Sequence, residues 1–393
     1  MHIAAFIAGL FCCLAVALDA FQTIILPRRP AGRFQITRIF FLATWAPWVA
    51  MAERSRNTKV REQIYSMYGP LCLLLLLLLW ALLLISGFGL FYFSMRSPLG
   101  DTMLQHPGSV LAQLGTDLYV SGTTLFTLGL GDVVPHSRLA RALIIVESGV
   151  GLGFVALVIG YLPVLYQAFS RREVSVALLD SRAGSPPNAA ELLRRHSFEG
   201  GLDALAILLA EWERWSAELL ESHISYPILC YYRSQHDNQS WLSALVSILD
   251  TCALLISVIE CSSSRQAQLT FVMARHAIID LGQVLQVKER KAWKNRTEVD
   301  RLPQKDFYHL CEALGENQVR LCGDPAAANR LKTIRALYEE HAFALSEYLR
   351  MPLPVWVAPP KVNDQWSVLT KLRNDAASAL NVRDDRSVSY HDD

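Results

Sequence analysis

Residues Thr123 to Pro135 read Thr-Thr-Leu-Phe-Thr-Leu-Gly-Leu-Gly-Asp-Val-Val-Pro, and the interpretation of the whole chain depends on this stretch. In an ordinary extended strand, successive carbonyl groups alternate in direction. Glycine at every second position, here Gly129 and Gly131, admits the positive φ angles that turn successive carbonyls to one side. A row of carbonyls around one axis replaces the water shell of a cation. The stretch therefore predicts a cation site built from backbone.

Two side chains complete the predicted site. Thr127 adds a hydroxyl as the innermost ligand. Asp132 places a carboxylate at the outer mouth, where its field concentrates cations. A glycine-rich turn in some other membrane protein is the alternative interpretation, because a lone Gly-x-Gly is weak evidence. The longer pattern Thr-x-Gly-x-Gly-Asp, placed between two apolar helices, favours the cation site.

That longer pattern resembles the selectivity filter of potassium channels, whose usual form is Thr-Val-Gly-Tyr-Gly-Asp. This chain has Leu128 in place of the valine and Leu130 in place of the aromatic residue. Leu130 lacks a hydroxyl that would help to brace the filter from behind. The form Gly-Leu-Gly-Asp, followed closely by Val-Pro, is similar to the second pore loop of animal two-pore-domain potassium channels.

The resemblance implies the pore-forming subunit of a bacterial single-pore-loop potassium channel in the inner membrane, and no enzyme. Potassium is then the permeant ion, and no separate cofactor is implied. Because one pore loop supplies one quarter of the carbonyl ring, a homotetramer within the lipid bilayer is expected. The implied filter consists of Thr127, Leu128, Gly129, Leu130, Gly131 and Asp132, with support from Thr123 and Thr124 and with K⁺ on the backbone of Thr127, Leu128, Gly129 and Leu130.

Composition indicates a membrane protein with a large soluble part. Of the 393 residues, 52% are hydrophobic and 19% are charged, which lies between a bundle of spanning helices and a cytosolic domain. The net charge is +1 and no domain is strongly basic, so nucleic acid is not implied as a partner. The 8 cysteines include no Cys-x-x-Cys pair, which favours reduced thiols over a zinc site or a disulfide framework.

The N-terminal region, residues 1–66, is predicted to hold one spanning helix. The apolar run from Ile3 to Leu26 is long enough to cross a hydrocarbon core of about 30 Å. Basic residues follow this run rather than precede it, so we expect a retained helix with its N-terminus outside. Asp19 is expected either to face a partner helix or water, or to lie near the cytoplasmic headgroups. The basic residues are Arg28, Arg29 and Arg33.

The next segment, residues 35–51, has basic residues on both flanks and contains Pro47, Trp45 and Trp48. An interfacial helix that presents its tryptophans to the membrane surface satisfies this arrangement. The alternative is a second crossing, which would place the preceding arginines outside. We favour the interfacial helix.

Residues 67–172 are predicted to form the pore domain. Tyr68-Gly69-Pro70 is expected to open an outer helix over 70–94, which leads into an extracellular turret at 95–112. A pore helix over 117–126 then precedes the filter at 127–132, with its negative C-terminal end toward the ion cavity. An inner helix over 139–170 returns to the cytoplasm at Arg171 and Arg172.

The inner helix carries candidate hinges and one acidic residue. Glycine and proline weaken helical hydrogen bonding, so they favour bending; close helix packing is the alternative role for the glycines. Glu147 is expected either to brace the pore helix by hydrogen bonding or to form a rim salt bridge with Arg138 or Arg141. The hinge candidates are Gly149, Gly151, Gly153, Gly160 and Pro163.

Residues 173–393 are predicted to form a cytoplasmic, all-helical domain after a proline-containing linker at 181–188. Apolar residues recur there at three- and four-residue spacing. No phosphate-binding glycine loop, serine elbow or Glu-x-x-His pair occurs, so no catalysis is predicted. Trp212, Trp215 and Trp241 are expected in the core. Helices are predicted at Ala189–Arg195, Leu202–Ser222, Trp241–Glu260, Gln266–Val287, Lys305–Leu314, Ala326–Leu349 and Asp364–Ala379.

Two other functions remain open at the level of sequence. A non-selective cation channel is one, because the filter lacks its aromatic residue; a non-conducting, membrane-anchored regulatory or scaffold protein is the other. The inner helix shows no turn signal between Leu139 and Arg172, so movement of the C-terminal domain is expected to reach Pro163. The alternative is that this domain only stabilises the tetramer. The sequence does not identify a ligand or partner protein for 173–393.

Overall fold

A computed structural model describes residues 2–25, 35–95, 99–101, 109–197, 201–235, 239–260, 264–287, 300–316, 319–322 and 326–357. The chain divides into two compact units. The first consists of Met1–Ser170 and Ser222–Arg233, and the second of Arg171–Glu221 and Ser234–Asp393. The predicted boundary at residue 172 lies close to the first division, but the assignment of all of 173–393 to one domain is wrong, because 222–233 packs within the first unit.

The first unit is built from helices and one short β-ribbon. Among the described residues, three helices are long and apolar enough to cross a membrane, with spans at His2–Ile24, Thr58–Ser94 and Arg138–Ala183. Strands β1 (Leu99–Asp101) and β2 (Val133–Pro135) pair antiparallel, with Gly100 opposite Val134. The helices are α1 (His2–Ala20, extended by a π-helical turn at Phe21–Ile25), α2 (Ile36–Glu53), α3 (Thr58–Ser94), α4 (Val110–Leu125) and α5 (Arg138–Ala183).

Helix α3 begins at Thr58, so the predicted start at residue 70 is wrong. The Asn57 side chain caps the helix by accepting from the Lys59 N–H, which satisfies one of its free N-terminal donors. Pro70 lies inside the helix. A proline there removes one backbone hydrogen bond of the helix. Tyr65 and Tyr68, in the turn before it, are both buried.

Two other predicted helices are also longer in the structure. Helix α4 begins at Val110 rather than at 117, because the Ser109 side chain accepts from the Ala112 N–H and caps it. Helix α5 continues to Ala183 rather than ending at 170, since Arg171 and Arg172 both suit a helix interior. The predicted order of outer helix, pore helix and inner helix is unchanged.

Small residues and one carboxylate fix α1 against α3. A Cβ on Gly9 would lie 2.6 Å from the Gly87 carbonyl oxygen, so the two helices approach through their glycines. The Asp19 carboxylate is buried and accepts from the Trp80 Nε1 at 2.9 Å and from the Thr37 N–H at 3.0 Å. Of the two expectations for Asp19, the structure shows the one in which it faces partner helices.

Helix α2 packs against the first half of α3. Trp45 is 4% exposed, and its ring lies 4.6 Å from that of Tyr68. The Trp48 Nε1 donates to the Ile64 carbonyl at 2.9 Å. The interfacial position of α2 stays a prediction. The expectation that its tryptophans face the membrane is wrong for Trp45, because that side chain has an aromatic partner within the protein.

The second unit is organised around one buried helix. In α8 every residue except Ile256 is buried, as expected of a helix that is apolar on nearly all sides. Trp212, Trp215 and Trp241 lie in this core, each no more than 5% exposed. The helices are α6 (Ala189–Arg195), α7 (Gly201–Ser225), α8 (Trp241–Ser257), α9 (Ser264–Val284), α10 (Gln304–Glu316), α11 (Ala327–Ala336) and α12 (Glu339–Leu349).

The single helix predicted over Ala326–Leu349 is two helices. The Leu337 and Tyr338 N–H groups both bond three residues back, to Ile334 and Arg335, which tightens and ends α11. The break places the buried Tyr338 hydroxyl on Asp250 of α8. Three features of the sequence lie outside the described residues: the basic residues Arg28, Arg29 and Arg33, most of the turret, and the helix predicted at Asp364–Ala379.

Candidate functional site: the loop after α4

The C-terminal end of α4 holds the loop that was predicted as a filter. The Leu128 N–H donates to the Thr123 carbonyl at 2.7 Å, and the Gly129 N–H approaches the same oxygen at 3.4 Å. The Thr127 N–H donates to the Thr124 carbonyl at 2.9 Å. Thr123 and Thr124 thus support the loop through their backbone oxygens, whereas the Thr123 hydroxyl returns to Val120 within the helix.

These hydrogen bonds fix the direction of the loop carbonyls. In a trans peptide the N–H and the preceding C=O point in opposite directions. Because the N–H groups of Leu128 and Gly129 both point to α4, the carbonyls of Thr127 and Leu128 both point away from it. Two successive carbonyls on one side is the arrangement that a cation-coordinating backbone requires.

Left-handed backbone at alternate positions makes this arrangement possible. The φ angles are +56° at Thr127, +53° at Gly129 and +78° at Gly131. Glycine adopts such angles without cost, but threonine is β-branched and rarely does so. The sequence pattern identified the two glycines and missed the strained threonine, which continues the same alternation one step inward.

A tyrosine of the pore helix holds the outer end of the loop. The Tyr119 hydroxyl donates to the Asp132 carboxylate at 2.7 Å, and the Val133 N–H approaches the other oxygen at 3.1 Å. The Asp132 carboxylate is therefore oriented by a side chain of α4 and by the backbone N–H of the next residue. No pattern in the sequence identified Tyr119, since its partner lies beyond the end of the helix that carries it.

Glu147 joins three helices behind the loop. Its carboxylate is fully buried and accepts from the Tyr92 hydroxyl of α3 at 2.6 Å and from the Ser121 hydroxyl of α4. Both carboxylate oxygens are used on these two hydroxyls, so the structure shows the bracing role and not the alternative salt bridge with Arg138 or Arg141. Tyr92 and Ser121 were not identified from the sequence.

The five hinge candidates lie in α5, which continues through Pro163 without a break. Gly151 differs from the other glycines, because a Cβ there would lie 1.9 Å from the Leu125 carbonyl oxygen. It is the contact point between α5 and the end of the pore helix. An added Cβ at Gly149, Gly153 or Gly160 would meet no described atom within 4 Å.

The chain leaves the loop itself largely uncovered. Leu128 is 62% exposed and Leu130 is 63% exposed. A Cβ on Gly129 or Gly131 would meet nothing within 4 Å in the described part of the chain. Within the described residues, backbone hydrogen bonds support the loop from the side of α4.

Comparison with known proteins agrees with this geometry. Residues 78–167 match the family model described as ion channel. A relative from Bacillus subtilis (strain 168), described as "Uncharacterized membrane protein YdjJ", is 29% identical over 246 residues, which cover 62% of this chain and 67% of the relative. No solved structure matches the chain.

The matched residues begin within α3 and end within α5, so they contain α4, the loop and the Glu147 contacts. The chain is therefore an all-helical membrane protein with an ion channel pore domain, as the sequence resemblance indicated. The match ends before the second unit, so it gives no information on the function of that unit.

Proposed function

We propose that the protein is the pore-forming subunit of a potassium channel in which four copies surround one pore. The observation that carries this proposal is the pair of successive carbonyls, on Thr127 and Leu128, that point away from α4. Four such rows around one axis give a cation an oxygen shell in place of its water. The exposed leucines of the loop support the assembly, because neighbouring copies would cover the surface that one chain leaves open.

Flux through liposomes tests the proposal. The purified protein should carry a potassium flux that Gly129→Ala and Gly131→Ala abolish, because alanine resists the positive φ at both positions. Gly315→Ala is the matched control, since this helical glycine lies in α10 of the second unit, where an added Cβ meets no described atom. Flux that persists in both loop variants would remove the filter assignment. Mass photometry of the conducting protein that finds only monomers or dimers would remove the tetramer.

A non-selective cation channel is the second candidate, and Leu130 is the residue that favours it. A leucine side chain has no hydroxyl to hydrogen-bond behind the loop, so the carbonyl ring is held less rigidly than with a tyrosine. The reversal potential under a potassium gradient with sodium on the opposite side separates the two candidates. A value that follows the potassium gradient supports selectivity, and a value near zero supports the non-selective channel.

We place the gate in the lower half of α5. This helix lines the pore in the proposed assembly and contains Pro163, which lacks the N–H that would bond to Ile159. The missing bond makes this turn the easiest place to bend. Because α5 continues as one helix to Ala183, the second unit has a direct mechanical route to that bend. Pro163→Ala should stiffen the helix and shift the open probability, which single-channel recording measures.

A further inference from the structure

A segment from the second half of the chain packs within the first unit. We call this segment, Ser222–Arg233, the clasp; it contains the last turn of α7 and the 3₁₀ turn Pro227–Tyr231. The residues on either side of it, Glu221 and Ser234, belong to the second unit. The clasp is therefore joined covalently to the second unit at both ends. The buried residues of its 3₁₀ turn are Ile228, Leu229, Cys230 and Tyr231.

Tyr231 attaches the clasp to α2 and α3. Its ring stacks on Phe41 with a centroid distance of 5.9 Å and lies edge-on to Trp45 at 5.1 Å. It is also 5.2 Å from the ring of Tyr68 on α3. Aromatic pairs of this kind contribute stability beyond the burial of their surface. The clasp is thus held firmly at its centre.

Tyr232 occupies a notch that a glycine leaves in α3. A Cβ on Gly69 would lie 2.6 Å from the Cδ2 and 2.8 Å from the Cε2 of the Tyr232 ring. These distances are below van der Waals contact, so the ring reaches this depth only because residue 69 has no side chain. Burial raises the pKa of Tyr232 to about 12, so its hydroxyl is neutral at physiological pH.

The same segment contacts α5 on both sides of Pro163. The Tyr232 ring lies 5.5 Å from Phe169, and the Tyr226 ring lies edge-on to Tyr161 at 5.6 Å. Tyr161 precedes the proline in the helix and Phe169 follows it. A displacement of the clasp therefore acts across the one turn of α5 that lacks a backbone hydrogen bond.

An ion pair fixes the C-terminal end of the clasp to α3. The Arg233 guanidinium approaches the Glu62 carboxylate at 3.7 Å and lies 4.9 Å from the centroid of the Tyr65 ring. The Arg233 side chain is 9% exposed. The first residues of α3 and the last residues of the clasp are therefore held together by charge and by a cation–π contact.

We infer that the clasp is a regulatory device, which transmits the state of the second unit to the gate by setting the bend of α5 at Pro163 against α3. This inference rests on the proposed channel function. The clasp is a second connection between the second unit and the bend, in addition to the continuous helix α5. It contacts the side of α5 while it is packed against α3.

A double-mutant cycle between Gly69 and Tyr232 tests the clasp. Tyr232→Ala removes the ring that joins α3 to α5, and Gly69→Ala pushes the same ring out of its notch. Each single variant should change the open probability by at least about fivefold, the lower end of usual allosteric couplings. Gly69→Ala should have no further effect when Tyr232→Ala is present. The reversal potential should be unchanged in all variants, because the filter loop is not touched.

Two variants are matched controls for this cycle. Tyr308→Ala removes a tyrosine that is 61% exposed, and Gly115→Ala adds a methyl group to a helical glycine with no described atom within 4 Å. Neither should change the open probability. Additive effects of Gly69→Ala and Tyr232→Ala, or an open probability unchanged in both, would overturn the inference.

Hydrogen exchange separates failure of the clasp from failure of the channel proposal. In the full chain reconstituted in nanodiscs, Tyr232→Ala should reduce amide protection over residues 161–169, whether or not the protein conducts. If the wild type carries no flux but this protection falls, the channel proposal fails and with it the role of the clasp at the gate, and only the packing of the clasp on α5 stands. If the wild type conducts and protection over 161–169 is unchanged in Tyr232→Ala, the clasp is overturned and the channel proposal stands.

Discussion

The loop after α4 and helix α8 are opposite kinds of structure. Leu128 and Leu130 of the loop are more than 60% exposed, whereas Trp241, Leu245 and Asp250 of α8 are fully buried. In the described part of the chain, the loop has hydrogen-bonded support from the end of α4. Helix α8 is surrounded by other helices of its own unit. The core around α8 is therefore complete within one chain, whereas the loop is exposed in it.

The two regions also differ in the hydrogen-bond partners of their buried carboxylates. Asp250 binds Arg301 at 2.6 Å, and Arg301 also contacts Glu339 at 3.1 Å, so the buried Asp250 carboxylate has a cationic partner within its own unit. Behind the loop, Glu147 accepts only from hydroxyl groups. The buried carboxylate of α8 is thus neutralised by charge, whereas the one behind the loop is satisfied by neutral hydrogen-bond donors.

Asp250→Ala should give the largest effect and should affect the second unit alone. The substitution leaves the Arg301 guanidinium, whose side chain is 7% exposed, without its closest carboxylate. Breaking a buried ion pair from one side costs about 3–5 kcal/mol. Thermal unfolding followed by tryptophan fluorescence measures the loss. Glu218→Ala, at an exposed position of α7, is the control and should leave the unfolding temperature unchanged.

Gly151→Ala should give the next largest effect, in the pore domain. The added methyl group would lie 1.9 Å from a backbone oxygen of Leu125, which no rotamer change relieves. Overpacking of this kind costs about 1–3 kcal/mol and should separate α5 from the pore helix. Flux should be lost while the second unit keeps its unfolding temperature. Flux equal to that of Gly153→Ala, where an added Cβ meets no described atom, would contradict the packing role.

Glu147→Gln should have a smaller effect on stability, of about 1 kcal/mol, because it replaces one of two acceptor oxygens by an amide donor. The Tyr92 and Ser121 hydroxyls cannot then both donate as they do to the carboxylate. We expect the loop to lose its conducting geometry faster, which a decay of flux under a sustained potassium gradient measures. Unchanged decay would show that α4 alone holds the loop.

The smallest effect is the pH dependence of the second unit. Burial, helped by the charges of Arg182 and Arg195 and opposed by a hydrogen bond to the Leu192 carbonyl, lowers the pKa of His196 from its usual value of 6.5. Below pH 6.5 the histidine of the unfolded chain binds a proton more readily than that of the folded chain. The contribution of His196 to the free energy of unfolding is therefore fully present above that pH and is lost as the pH decreases.

Comparison of His196→Gln with the wild type measures this contribution. The unfolding temperature of the variant should depend less on pH between about 7.5 and about 5.5, on either side of the normal histidine range. His309→Gln is the control, because the His309 ring is 62% exposed. Equal pH dependence in the wild type and in His196→Gln would contradict the role of His196.

Features that depend on a few neighbouring residues could be predicted from the amino-acid sequence alone. The length and composition of the apolar segments identified all three long apolar helices, and alternate glycines identified the loop with positive φ. These properties are local, since hydrophobic length and backbone freedom belong to the residues themselves. The glycine pattern also places the loop within the residues that match the ion channel family.

The residues that hold those features in place could be identified only from the folded chain. Tyr92 is 55 residues from Glu147, and neither shows a pattern that pairs it with the other. In the sequence the clasp only follows the helix predicted over Leu202–Ser222, but in the structure it packs on α2, α3 and α5 of the first unit. Contacts between distant parts of the chain depend on how whole helices pack, and periodicity within a helix does not encode its partner. The reason for a glycine at position 69 is likewise seen only in the structure, where the Tyr232 ring occupies the space next to it.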